Sequence, residues 1–313
     1  MIVARSTSEV AHEKKSVVTV GTFDGLHLGH QKILSRLRYH AEKRWTRSVV
    51  VTFDPHPREV VGRGPVKLLT TLDERIELFE STGIDVLIVV PFTYEFSRQS
   101  SRAFYEREIV KGIGVEVVVV GYDHMFGRDR EAGLHELQTM GEQLGFEVFH
   151  EEPLCVEGVI VGSSKIREEL LRGNIAKATS WLGRPYFLGG KVVQGAGRGS
   201  TLGFPTANIS SDDARKLVPA EGVYFVEAEL GDRKIPGMMN IGVRPTFGDE
   251  HQRTIEVHLL DFHEDIYGTS LRISFIKRLR GEIRFASPQD LVAQLKKDRE
   301  ECLKIVEAKE QIS

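Results

Sequence analysis

The chain has 313 residues, of which 41% are hydrophobic and 28% charged, with a formal net charge of -3; this length suggests two domains rather than one core. Lys and Arg number 42 against 45 Asp and Glu, which gives no basic excess for neutralising a nucleic-acid backbone. Two cysteines, Cys155 and Cys302, lie far apart without metal or redox spacing, and no run approaches about 18 apolar residues, so a cytoplasmic protein outside the membrane is expected.

Met1 to Lys14 includes Arg5, His12, Glu13 and Lys14 and reads as a short, loose extension. Apolar runs follow at Val17 to Val20, Ser48 to Phe53, Asp85 to Val90 and Val115 to Val120. Strands apolar on both faces belong in a parallel sheet covered by helices. Between them, His30 to Arg44 places Ile33, Leu34 and Leu37 on one side of a helix, and Thr71 and Glu74 stand at capping-box spacing. The β-α-β-α order implies right-handed crossovers and a ligand crevice at the carboxyl ends of the strands.

Leu182 to Gly190, with Gly183, Pro185, Gly189 and Gly190, reads as a linker between domains 1–183 and 184–313. Beyond it, Gly222 to Leu230, Thr254 to Leu260 and Leu271 to Phe275 alternate with period two between turn residues, the pattern of an antiparallel barrel. A last helix is capped by Ser287, with Pro288 and Asp290 in its first turn and a stripe of Leu291, Leu295, Cys302 and Ile305.

The first strand runs into G-T-F-D-G-L-H-L-G-H, Gly21 to His30, and then directly into a helix. Backbone N–H groups and the positive helix end make an anion site there. His27 and His30 are three residues apart, which puts both imidazoles on one side of a first helical turn, and Gly29 removes a side chain that would block close approach. Phosphate suits them, although two histidines near a helix start also serve as surface or capping residues. Further along, Ser163 and Ser164 open a helix carrying Lys165 and Arg167, an arrangement of hydroxyls, helix N-terminus and guanidinium that suits phosphate oxygens or merely caps a basic face.

The segment Gly21 to His30 resembles the H-x-G-H motif of the nucleotidyltransferase superfamily, and its flanks resemble the flavin branch. The supporting stretches are F-D-P-H-P (Phe53 to Pro57), L-L-T (Leu68 to Thr70), G-Y-D-H-M-F-G (Gly121 to Gly127) and S-S-K-I-R (Ser163 to Arg167). The resemblance implies an α/β, Rossmann-like domain that transfers an adenylyl group to FMN. It implies that Gly21, Phe23, His27, Gly29, His30, Ser163, Ser164 and Arg167 attend the ATP phosphates, that a magnesium ion bridges them, and that Phe53, Pro55 and Asp123 border the flavin. The implied chemistry is in-line attack by the FMN phosphate on the α-phosphorus with pyrophosphate leaving; that phosphate needs no general base, since its second pKa is about 6. Gly162 replaces a hydroxyl residue common in the family, and His124 stands where an aromatic residue is usual.

In the second half, Gln194 to Gly199 contains Gly195, Gly197, Arg198 and Gly199, a loop with enough φ freedom to wrap a phosphate. It leads into L-G-F-P-T-A-N-I, Leu202 to Ile209. In an extended segment Thr206 and Asn208 point the same way, and two neutral oxygens can hold a hydrated magnesium ion. In I-E-V-H-L, Ile255, Val257 and Leu259 face one way, Glu256 and His258 the other. The P-T-A-N segment resembles that of riboflavin kinases, and Asn240 to Phe247 and Asp261 to Gly268 extend the likeness, with Ala196 and Ser200 departing from common acidic and basic residues. The resemblance makes Glu256 the catalytic carboxylate, accepting the proton of an attacking primary alcohol.

The whole chain thus resembles the bacterial bifunctional riboflavin kinase/FMN adenylyltransferases, which use ATP with riboflavin and then FMN. Two other readings stay open at this level: a kinase beside a regulatory nucleotide-binding domain, and an adenylyltransferase for another phosphate acceptor. The oligomeric state is not legible.

Overall fold

The computed structural model describes residues 1–62, 64–122, 133–195, 203–211, 213–244 and 252–311. Asp123, His124, Ala196, Gly197, Arg198, Gly199 and Ser200, all singled out above, lie outside the described residues. The chain divides into two compact units, Met1–Ser163 and Ser164–Ser313.

The first unit is built on a six-stranded sheet of β1 (Ile2–Ala4), β2 (Ser16–Val20), β3 (Ser48–Asp54), β4 (Val86–Pro91), β5 (Val115–Gly121) and β6 (Glu147–Glu151) in the order β1-β4-β3-β2-β5-β6. Every pairing in it is parallel, and a short antiparallel pair, β7 (Cys155–Val156) and β8 (Val159–Ile160), follows it in the chain. β2 is buried along its whole length and β3 over all but its last residue, as expected of a sheet covered on both faces. Val18, Val20, Val49, Val51 and Val118 pack with Phe104, Tyr105 and Met140 on one face. Val17, Val50, Val117 and Val119 pack on the other with Leu34 and Leu37 of α1 (Leu28–Arg44) and Phe79 of α2 (Leu72–Glu80). α2 begins with the expected reciprocal capping box between Thr71 and Glu74.

From β2 the chain steps one way to β3 and the other way to β5. Gly21, which follows β2, therefore stands at the point where strand order reverses, where open α/β sheets bind ligands. The loose N-terminal extension is corrected: Ile2–Ala4 pairs with β4, the Ile2 amide donates to the Asp85 carbonyl at 2.8 Å, and Thr7 donates to Glu108 at 2.6 Å. A three-residue strand is too short to carry a periodicity.

The second unit is a closed antiparallel barrel in the order β10-β13-β12-β11-β14-β9, formed by β9 (Tyr186–Val193), β10 (Ala207–Ser210), β11 (Gly222–Leu230), β12 (Arg233–Arg244), β13 (Gln252–Leu259) and β14 (Ser270–Arg280). Two helices, Ser163–Arg172 and Ile175–Leu182, precede it, and Pro288–Glu310 ends it. The last helix is capped by Ser287 as expected; its Cys302 joins Phe225 and Met238 in a core cluster, and Asp298 pairs with Arg280 of β14 at 2.8 Å.

The linker reading of Leu182 to Gly190 is also corrected: Leu182 ends a helix, and from Tyr186 the segment is barrel strand. Glycine at 190 reflects close approach rather than freedom, because a Cβ there would meet the Ser210 carbonyl oxygen at 2.5 Å. Among the described residues no helix is long and apolar enough to cross a membrane.

Candidate active sites

In the first unit, the loop after β2 is held from beneath by buried polar contacts. The buried Asp24 carboxylate accepts from the amides of Leu69 (3.1 Å) and Thr70 (2.9 Å) and from the Thr70 hydroxyl (3.1 Å). The Gly25 amide donates to that hydroxyl at 3.0 Å. From α2, the buried Arg75 donates to the carbonyls of Thr22 (2.6 Å) and Phe53 (3.2 Å) and approaches Asp54 at 3.7 Å. These supports tie L-L-T to the G-T-F-D-G loop, and reading the sequence missed Arg75 because a lone Arg on a helix carries no motif.

His27 is the N-cap of α1 rather than a residue of its first turn; its Nδ1 accepts the His30 amide at 3.3 Å. The expected same-side arrangement nonetheless forms, with the two rings stacked at 3.6 Å between centroids and 18° between planes. Gly29 makes room for it, since a Cβ there would come within 3.1 Å of the His27 ring. The buried Phe23 ring sits edge-on to His30 at 5.1 Å and to Phe79 at 5.6 Å, so its side chain backs the histidine from the core. A Cβ on Gly21 would crowd that ring at 3.1 Å.

Burial, the neighbouring His27 and then Arg75 hold the His30 pKa well below its ordinary value of 6.5. Its Nδ1 is shielded from solvent with no hydrogen-bond partner among the described residues. His30 is therefore a neutral imidazole near pH 7, and positive charge at the site has to come from other groups.

The Ser163 hydroxyl donates to the Asp24 carbonyl at 2.9 Å. Ser164 is exposed and Arg167 half-buried on the helix that follows. Phe53 is buried among Phe92, Phe96 and Phe104, with centroids 5.4–6.5 Å away, and Pro55 follows at the end of β3 through a cis peptide bond.

In the second unit, β13 brings the kinase-like residues together. Ile255, Val257 and Leu259 are buried and Glu256 half-buried, as the alternation requires. Glu256 is the direct cross-strand partner of Asn208, and the Thr206 hydroxyl donates to its carboxylate at 3.5 Å. Gly195 lies against Asn208: a Cβ there would overlap the carboxamide. His258, which carried no assignment, contacts the Pro205 carbonyl at 2.8 Å and the Phe204 ring at 5.4 Å, and so fixes the start of the P-T-A-N segment. Beside Thr206 opens a cleft of about 340 Å³ lined by Val192, Pro205, Ala207, Val257, Phe262 and Tyr267, among others.

A family model described as FAD synthetase matches residues 9–165, and one described as riboflavin kinase matches residues 182–306. The chain is 37% identical over 298 residues to the bifunctional riboflavin kinase/FMN adenylyltransferase of Bacillus subtilis (strain 168), covering 93% of each chain. The chain belongs to that bifunctional family. The Escherichia coli (strain K12) member is 37% identical over 291 residues, with 92% of each chain covered. Among solved structures, a Streptococcus pneumoniae protein described as a macrolide-efflux protein superposes with a TM-score of 0.87 at 31% identity, covering 96% of this chain and 97% of its own. Family membership accounts for the pairing of an H-x-G-H loop with a P-T-A-N barrel.

Proposed function

We infer that the chain makes both flavin cofactors: its barrel phosphorylates riboflavin to FMN with ATP, and its N-terminal domain adenylylates FMN to FAD with release of pyrophosphate. The observation that carries this is the pairing of both family matches with two intact residue sets, the stacked histidines over Gly29 and Glu256 beside Thr206 and Asn208. We place the functional boundary at 183/184 and the enzyme in the cytoplasm, where the exposed free Cys155 stays reduced.

In the kinase step, the riboflavin 5′-oxygen attacks the γ-phosphorus, its proton passes to the Glu256 carboxylate, and the bond to the ADP oxygen breaks. Gly195, with Gly197, Arg198 and Gly199 of the same loop, is assigned to the ATP phosphates, and the cleft beside Thr206 to its adenosine. Thr206 Oγ1 and Asn208 Oδ1 are hard neutral oxygen donors next to a carboxylate, a set that fits magnesium. When bound, that ion supplies charge neutralisation between phosphate oxygens.

In the second step, the FMN phosphate oxygen attacks the α-phosphorus and the bond to pyrophosphate breaks. His27 and His30 hold phosphate oxygens as hydrogen-bond donors on a helix N-terminus, with Gly21 and Phe23 shaping their loop. Ser163, Ser164 and Arg167 are assigned to the β and γ phosphates, and Phe53, Pro55 and Asp123 to the flavin side. Complementary loss tests the assignment. Glu256→Ala should abolish FMN formation while sparing FAD formation from added FMN, and His30→Ala should do the reverse; equal loss of both activities in either variant contradicts it.

A further inference from the structure

β10 begins at Ala207, and it pairs with β13 by setting Ala207 opposite Val257 and Asn208 opposite Glu256. One step towards the N-terminus, the same register sets Thr206 against His258, and the residue before it is Pro205, which has no N–H to carry a ladder on. At this point a side chain takes over from the backbone: Nδ1 of His258 lies 2.8 Å from the Pro205 carbonyl oxygen. A carbonyl only accepts, so Nδ1 carries the proton and donates it. His258 is buried, and burying a polar ring is unfavourable without such a partner.

Thr206 stands between two anchors. On one side, Phe204 packs in the core cluster with Met238 and Cys302 and meets the His258 ring edge-on at 5.4 Å, while Pro205 is tied to that same ring. On the other side, Asn208 is held in the ladder opposite Glu256. The Thr206 hydroxyl lies 3.5 Å from the Glu256 carboxylate, longer than an ordinary O–H···O hydrogen bond. Glu256 therefore does not fix this oxygen, and the backbone on either side of it has to. Magnesium demands near-ideal octahedral geometry with oxygens at about 2.1 Å, so a small displacement of Thr206 weakens its grip on the ion.

We infer that His258 is a positioning residue of the kinase: through the Pro205 carbonyl it holds the Thr206 oxygen where the phosphate-bound magnesium ion needs it. This rests on Thr206 and Asn208 as the metal side of the kinase site. An apolar residue at 258 would fill the same space without making the tie, so the position calls for an N–H donor at the δ atom of its side chain. Asn carries a donor at that atom, whereas Gln carries one a bond further out. The two amides therefore separate the tie from bulk and polarity.

The test titrates free magnesium in riboflavin phosphorylation by the full chain at fixed ATP, for His258→Ala, His258→Gln and His258→Asn. Beside it, hydrogen exchange of the peptide from Gly203 to Ile209 is followed without nucleotide. Ala and Gln should raise the magnesium concentration for half-maximal rate roughly three- to tenfold, the range for one lost hydrogen bond, and should speed exchange in that peptide. Asn should stay within about twofold of the unsubstituted chain on both. The KM for riboflavin should move by less than about twofold, with FAD formation from added FMN unchanged. An unaltered magnesium dependence, an equal rise in the riboflavin KM, or an Asn variant no better than Gln would each overturn the inference, and the Asn and Gln pair decides it if the Ala variant does not fold. Thr206→Ala keeps two failures apart: if it leaves the magnesium dependence in place the metal-side reading falls, whereas if it shifts that dependence and the Ala and Gln variants at 258 do not, only the positioning role falls.

Discussion

Gly195 and Gly29 are glycines for the same physical reason, close approach by a neighbouring side chain, and they yield separable predictions. Gly195→Ala should displace the Asn208 carboxamide that a Cβ would overlap, lowering FMN formation at least tenfold with FAD formation from FMN intact. Gly29→Ala adds helix propensity worth up to about 1 kcal/mol but presses on the His27 ring at 3.1 Å. Adenylyl transfer should fall while thermal stability holds or rises. The need for a small residue at Gly29 was legible from its place between two histidines in the sequence, but the approach read there was that of an anion, whereas the structure sets the His27 ring against it. The Gly195 role was legible only as loop freedom, since contact with Asn208 depends on pairing between β9 and β10.

His30 gives the pH dependence at this same scale. Its folded pKa lies well below 6.5, while the unfolded chain titrates near the ordinary value. Below that value the unfolded state takes up a proton that the folded state refuses, so the contribution of His30 to stability is present above pH 6.5 and is lost as the pH falls. Urea titrations between pH 7.5 and 5.5 should show the first domain weakening, and His30→Gln should flatten that slope; an unchanged slope contradicts neutral burial.

At the scale of elements, the strands on either side of each motif were readable because burial on both faces, or on one, leaves a distinct pattern. Val17 to Val20 and Val115 to Val120 appear within a residue of their expected ends. The stretch from Leu182 to Gly190 failed because glycine and proline mark turns locally, whereas Gly190 is required by a neighbouring strand. The support of the H-x-G-H loop by α2 was invisible for a related reason: Arg75 reaches carbonyls at Thr22 and Phe53, far away in sequence. Arg75→Ala strands those buried carbonyls and should cost the first domain about 3 kcal/mol. Hydrogen exchange should show the loosening confined to residues near β2 and β3, with kinase activity unchanged; uniform loosening contradicts the local clamp.

At the scale of the whole molecule, fold class and the presence of two chemistries were legible because each half carries its own periodicity and its own motif. The roles proposed above rest on which residues the topology brings together: those at the switch point after β2 for adenylyl transfer, and the pairing of Asn208 with Glu256 across β10 and β13 for the kinase. Two sites in one chain make the product of one the substrate of the other. The most direct measurement is a time course of the purified chain with riboflavin, ATP and magnesium, resolving riboflavin, FMN and FAD by chromatography. FMN should rise first and then give way to FAD. FMN that accumulates without FAD, even when FMN and ATP are supplied directly, contradicts an active first domain, and the absence of both products contradicts the account entirely.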